Sequence, residues 1–81
     1  RDFAFLIVDD SAVDRRLVGE LLRKRYDCAI EYAADGAEAV ALYARTPGAV
    51  DVVLLDMMMP VMDGAMTIRA LQKLDPGVRI I

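Results

Sequence analysis

Histidine is missing altogether from these 81 residues, and cysteine occurs once, at Cys28. Without histidine this segment can hold no Ser-His-Asp triad, no imidazole base and no histidine-ligated zinc. Any chemistry must come from carboxylates, backbone groups or a metal held by oxygen. A single cysteine excludes an internal disulfide and fits a reducing compartment, so a cytoplasmic location is expected. An excess of positive charge is missing too. Ten Lys and Arg stand against thirteen Asp and Glu, leaving a net charge of −3. That argues against this segment gripping nucleic-acid phosphates by itself. Long apolar runs are lacking: Met57 to Met62, for example, contains a proline and is far too short to cross a bilayer. The first residues show no basic-then-apolar secretory pattern. There is no internal repeat, linker or low-complexity tract.

What is present is a short chain, 57% hydrophobic, with a mean hydropathy of +0.35. A length of this order makes one small domain with a marginal core. The apolar content fits a sheet covered on both faces, whose strands read as continuous apolar runs. Phe3–Val8 is such a run and predicts a buried strand ending at Asp9-Asp10. Ser11, with Asp14 three residues on, predicts a helix start. Val13, Leu17, Val18, Leu21 and Leu22 then recur at helical spacing and predict one apolar stripe, with Arg15, Arg16, Arg23, Lys24 and Arg25 on the other faces. Cys28–Ala33 predicts a second strand. Asp35 and Glu38 repeat the cap pattern before a helix that runs to about Arg45 and is stopped by Thr46-Pro47-Gly48. Val50 to Leu55 predicts a third strand ending at Asp56. After a methionine-rich loop, Asp63-Gly64 opens a third helix with Met66, Ile68, Leu71 and Leu74 as its apolar positions. Asp75-Pro76-Gly77 breaks it, and Val78 to Ile81 predicts the start of a fourth strand. This alternation argues for an α/β domain with a parallel sheet built from right-handed crossovers.

Two of these strands end in acids, Asp9-Asp10 and Asp56. In an open parallel sheet, ligand sites lie beyond the carboxyl ends of the strands, where the strand order reverses. If the first and third strands are neighbours there, three carboxylates converge. Like charges so close are costly unless neutralised, and an all-oxygen donor set suits a hard divalent ion such as Mg2+. Taken singly, an acidic pair after a strand is often only a helix cap or a solvated loop. A carboxylate at the end of an apolar run, as at Asp56, needs a partner more urgently.

The combination resembles the response-regulator receiver family. An apolar strand ends Asp9-Asp10, another ends at Asp56, and Met57-Met-Met-Pro60-Val-Met-Asp63-Gly64 follows, matching the family signature from the first strand to the fourth. The resemblance implies a doubly wound, flavodoxin-like α/β/α fold with strand order 2-1-3-4-5 in the complete domain. Residues 1–81 would then be a partial receiver, from its first strand to the start of its fourth. It further implies that Asp56 accepts a phosphoryl group from a histidine kinase or phosphotransfer protein. Mg2+ would be bound by Asp10, Asp56 and the backbone carbonyl of Met58, with Asp9 acting through a bound water. Pro60 and Gly64 would shape the loop that holds Met58, while Met57, Met59 and Met62 read as packing. Val13, Asp14 and Leu17 lie where the family docks its phosphodonor; docking suits Val13 and Asp14, whereas Leu17 reads first as core packing. Cys28, Tyr26, Tyr32 and Tyr43 read as core or surface filler.

The family's Ser or Thr after the fourth strand and its Lys after the fifth lie outside these residues, as does any DNA-binding output domain. On this reading the segment has no membrane partner and no enzyme activity beyond self-catalysed phosphotransfer and dephosphorylation. Taken alone, it is expected to self-associate or swap elements, because its fourth strand would be an exposed apolar edge. Two other readings compete. A haloacid-dehalogenase-like phosphatase needs Asp-x-Asp, whereas the nearest acid after Asp56 is Asp63. A pseudo-receiver scaffold is disfavoured by the presence of all three acids.

Overall fold

In the computed structural model, which describes residues 2–57 and 64–81, the run Phe3–Val8 forms β1, and every side chain after Phe3 is buried. Such burial requires neighbours on both edges and cover on both faces. β2 (Cys28–Ala33) and β3 (Val52–Leu55) flank β1, both parallel to it, in the order β2-β1-β3. α1 (Ala12–Arg25) packs on β1 and β2, whereas α2 (Gly36–Arg45) packs on both the sheet and α3 (Gly64–Leu74). This is the doubly wound arrangement expected from the alternation of elements. Leu6, Val8, Val53 and Leu71 are fully buried and centre the core.

Both predicted caps form. Ser11 Oγ accepts from the Asp14 amide at 3.2 Å, and Asp35 Oδ1 accepts from the Glu38 amide at 2.8 Å. Each satisfies a donor the helix itself leaves unpaired.

Several expectations need correction. β3 begins at Val52, not Val50. Asp51 does the pairing before it: its Oδ2 accepts the Ala4 amide at 2.7 Å, and its own amide donates to the Ala4 carbonyl at 2.8 Å. A carboxylate thus stands where a ladder carbonyl would otherwise be. The predicted fourth strand is a single parallel bridge between Ile80 and Val53. The amides of Val53 and Ile81 donate to the carbonyls of Arg79 and Val53 at 2.8 and 2.9 Å. The segment lies on the outer side of β3, as the order 2-1-3-4 requires.

The helix faces also differ from the apolar stripes. On α1, Val13, Leu17 and Leu21 are 70%, 53% and 62% exposed, so Leu17 lies outside the core that these 81 residues form. The inward seam is centred on buried Gly19, with Arg15, Val18 and Leu22 half-buried beside it. A Cβ at Gly19 would run into the Tyr32 hydroxyl, so the missing side chain leaves room for the end of that ring against this helix. On α3, Met66 and Leu74 face outward, and Gly64, Thr67 and Leu71 are the buried positions.

Tyr43 is a core residue, as expected, but it does more than fill space. Buried on α2, its hydroxyl donates to Asp75 Oδ2 at 2.7 Å, while Asp75 Oδ1 accepts from the Gly77 amide at 3.0 Å. The turn that ends α3 is thereby tied to α2. Burial, reinforced by the Asp75 hydrogen bond and charge, pushes the Tyr43 hydroxyl up to about 12. An acid whose pKa is raised by folding stabilises the fold while protonated in both states, and loses that contribution as pH rises through the folded value. Tyr43→Phe is therefore expected to cost about 1–2 kcal/mol at neutral pH. In urea unfolding of the full-length chain, the gap from wild type should narrow as pH rises from about 10 towards 12.

Candidate acidic site at the carboxyl ends of the strands

The register of the sheet builds this site. Val8 is paired with Ala33 on one side and Leu55 on the other. The next residues, Asp9 and Asp56, therefore leave adjacent strands at the same level. Two further hydrogen bonds hold them there: the Asp56 amide donates to the Val8 carbonyl at 2.9 Å, and the Asp9 amide to the Ala33 carbonyl at 3.1 Å. Asp9, Asp10 and Asp56 each bring a carboxylate oxygen within 4.8 Å of the others. Asp9 and Asp56 are half-buried, and Asp10 is exposed.

Asp9 is held by both its side chain and its backbone. Its Oδ1 accepts from the Ser11 amide at 2.9 Å, closing a tight turn into α1. Its backbone carbonyl accepts from Arg15 Nη1 at 2.7 Å. Burial raises the Asp9 carboxyl above the usual carboxylate range; the charges of Asp56, Asp14 and Asp10 push the same way, and the Ser11 amide opposes them. Burial first, and the neighbouring acids second, thus disfavour the charge on the Asp9 carboxylate.

A divalent cation is the natural relief. The donors are all oxygen, and an octahedral Mg2+ at 2.0–2.1 Å places its ligand oxygens about 3–4 Å apart, which a cluster of this span can meet with a small adjustment. The three carboxylates therefore fit such an ion.

The other predicted site residues divide into two groups. Met58 lies outside the described residues, as do Met59, Pro60, Met62 and Asp63. Gly64 is buried, and a Cβ there would stand 2.9 Å from Met57 Cα and 2.8 Å from Met57 Cε. Its bare backbone lets α3 begin against the residue that follows Asp56. Val13, Asp14 and Leu17 are all exposed on α1 just beyond the acidic pair. Val13 and Leu17 line a shallow apolar depression with Ala12, Arg16 and Glu20. Sequence reasoning missed Arg15, which had been placed on the helix's polar face.

Residues 5–81 match the family model for the response regulator receiver domain. The chain is 39% identical over 77 residues to the chemotaxis protein CheY of Thermotoga maritima, covering 94% of this chain and 62% of that one. It is 40% identical over 76 residues to a protein-glutamate methylesterase/protein-glutamine glutaminase of Paramagnetospirillum magneticum, covering 94% of this chain and 20% of that protein. It superposes with a TM-score of 0.90, at 35% identity, on a crystal structure of the CheX-CheY-BeF3-Mg+2 complex from Borrelia burgdorferi, covering 96% of this chain and 58% of that one. The chain thus spans less than two thirds of these relatives' lengths. Among the described residues, no helix is long and apolar enough to cross a membrane.

Asp9→Asn tests the electrostatics of the cluster, because the amide oxygen can still accept from Ser11 while the charge is gone. In chelator at pH 7 the variant should melt at a higher temperature than wild type. The raised Asp9 carboxyl costs stability once ionised, so the gain should fade as pH falls and the wild-type group takes up its proton. An unchanged or lowered melting temperature at pH 7 contradicts a carboxylate whose charge is disfavoured by burial and by its acidic neighbours.

Proposed function

Because the chain belongs to the response regulator receiver family, we propose that it works as a phosphorylation-dependent switch with Asp56 as the phosphoacceptor. The observation that carries this reading is the convergence of Asp9, Asp10 and Asp56 at the carboxyl ends of β1 and β3. In the proposed step, an Asp56 carboxylate oxygen attacks the phosphorus of a phosphohistidine on a histidine kinase or phosphotransfer protein. The new O–P bond forms as the P–N bond breaks, and the leaving imidazole keeps the electron pair and takes up a proton. Asp10, Asp56 and the Met58 carbonyl would hold Mg2+ directly, with Asp9 linked through a water. When bound, the ion offsets charge on the phosphoryl oxygens, so that positioning supplies most of the acceleration. The Mg2+ in the similar Borrelia complex supports a Mg2+-dependent reading of this site.

On this reading the 81 residues carry the acidic half of the switch, from the first strand to the start of the fourth. The hydroxyl and lysine that read the phosphoryl group would come from later in the domain. Val13, Asp14 and Leu17 are proposed as the phosphodonor's docking strip, supported by their exposure beside the acidic pair. A cytoplasmic location follows from a kinase as donor. The segment itself is a phosphoacceptor rather than an enzyme, although some relatives join a receiver to methylesterase and glutaminase activities.

Incubated with acetyl phosphate and Mg2+, the full-length protein should take up a single phosphoryl group, and Asp56→Asn should take up none. Intact-mass measurement reads the result. Undiminished labelling of the Asn variant would place the acceptor elsewhere.

A further inference from the structure

The α1 cations are not equivalent. Arg16, Arg23, Lys24 and Arg25 are exposed, whereas Arg15 is half-buried and turned back towards the strand. Its Nη1 donates to the Asp9 backbone carbonyl at 2.7 Å, across six residues of chain. The turn from β1 into α1 is tied at two other points, the Asp9 amide on Ala33 and the Ser11 amide on the Asp9 carboxylate. Those two fix the amide and side chain of Asp9. The Arg15 contact fixes something else, the peptide plane between Asp9 and Asp10, which sets where the Asp10 carboxylate hangs.

We infer that Arg15 is a positioning residue for the divalent-cation site, holding the Asp9–Asp10 peptide so that Asp10 meets Asp56. This rests on the proposed function above, since it presumes that the acidic cluster takes Mg2+. Arg15 adds a positive charge near a cation site, which by itself opposes cation binding. A hydrogen bond that orients a ligand-bearing peptide favours binding. The two roles have opposite signs, so removal of the side chain separates them.

The test is the Mg2+ dissociation constant of the full-length chain, measured by calorimetry for wild type, R15M, R15K and R16M. R16M removes the same charge one residue along, from an exposed side chain. R15M should weaken Mg2+ binding about tenfold, the lower end of what loss of a ligand's outer partner costs. R15K, which keeps a cationic donor, should fall between R15M and wild type, and R16M should bind as wild type does or slightly tighter. In the metal-free chain, amide exchange at Asp10 and Ser11 should quicken in R15M and not in R16M, with the β1 and β3 amides unchanged in both. An R15M protein that binds Mg2+ as tightly as wild type, or tighter, overturns the inference and leaves the proposed function standing. So does R15M binding no more weakly than R15K. A wild-type chain with no Mg2+ affinity overturns the proposed function, and this inference with it.

Discussion

The parallel pairing of β1 with β3 is the constraint on which the rest depends. Its register puts Val8 opposite Leu55, so the two strands run out of apolar residues at the same level, and the next residue on each is an aspartate. Asp51 pins that register at one end, its carboxylate accepting the Ala4 amide and its own amide donating to the Ala4 carbonyl, and the Asp56 amide on the Val8 carbonyl pins it at the other, while the buried apolar side chains hold the pairing together. The energy that holds the carboxylates together therefore comes from the core beneath them, from Leu6, Val8 and Val53, and not from any attraction between the acids. A site that binds by relieving repulsion has to be built this way, with the scaffold stabilising what the site itself destabilises.

The β1–α1 turn carries this stress outward. Asp9 spends one carboxylate oxygen on the Ser11 amide, and Ser11 in turn caps α1 through the Asp14 amide. Helix start and acidic pair are thus one hydrogen-bonded unit. On the far side of the cluster, Gly64 lets α3 press against Met57, directly after Asp56. The tie between Tyr43 and Asp75 then anchors the other end of α3 to α2. α3 and the β1–α1 turn are thus each held at a second point away from the cluster, which keeps the carboxylates in place.

Much of this was legible in the sequence, for identifiable reasons. Strands buried on both faces announce themselves as unbroken apolar runs, and Ser11 and Asp35 announce their helices because a cap needs a short polar acceptor. The acids were legible because a charge at the end of an apolar run is costly anywhere but at a strand terminus. The helix faces were not. Apolar spacing on α1 pointed to Val13, Leu17, Val18, Leu21 and Leu22, of which only Val18 and Leu22 turn inward, and the seam is centred on Gly19, which contributes by lacking a side chain. On α3 the fully buried Thr67 carries a hydroxyl that hydropathy reads as surface. Arg15 and Tyr43 were passed over because their roles depend on partners six and thirty-two residues away, and no local pattern encodes those contacts.

The central claim is that the fold forces Asp9, Asp10 and Asp56 into a repelling cluster that one divalent cation relieves. Unfolding of the full-length chain by urea across a Mg2+ series tests it most directly. A site formed only in the folded state predicts stability that rises with the logarithm of free Mg2+ once the ion exceeds its dissociation constant. That rise should be lost in a variant with Asp10 replaced by Ala. Stability independent of Mg2+ in the wild-type chain, or an equal rise in the variant, would contradict the account.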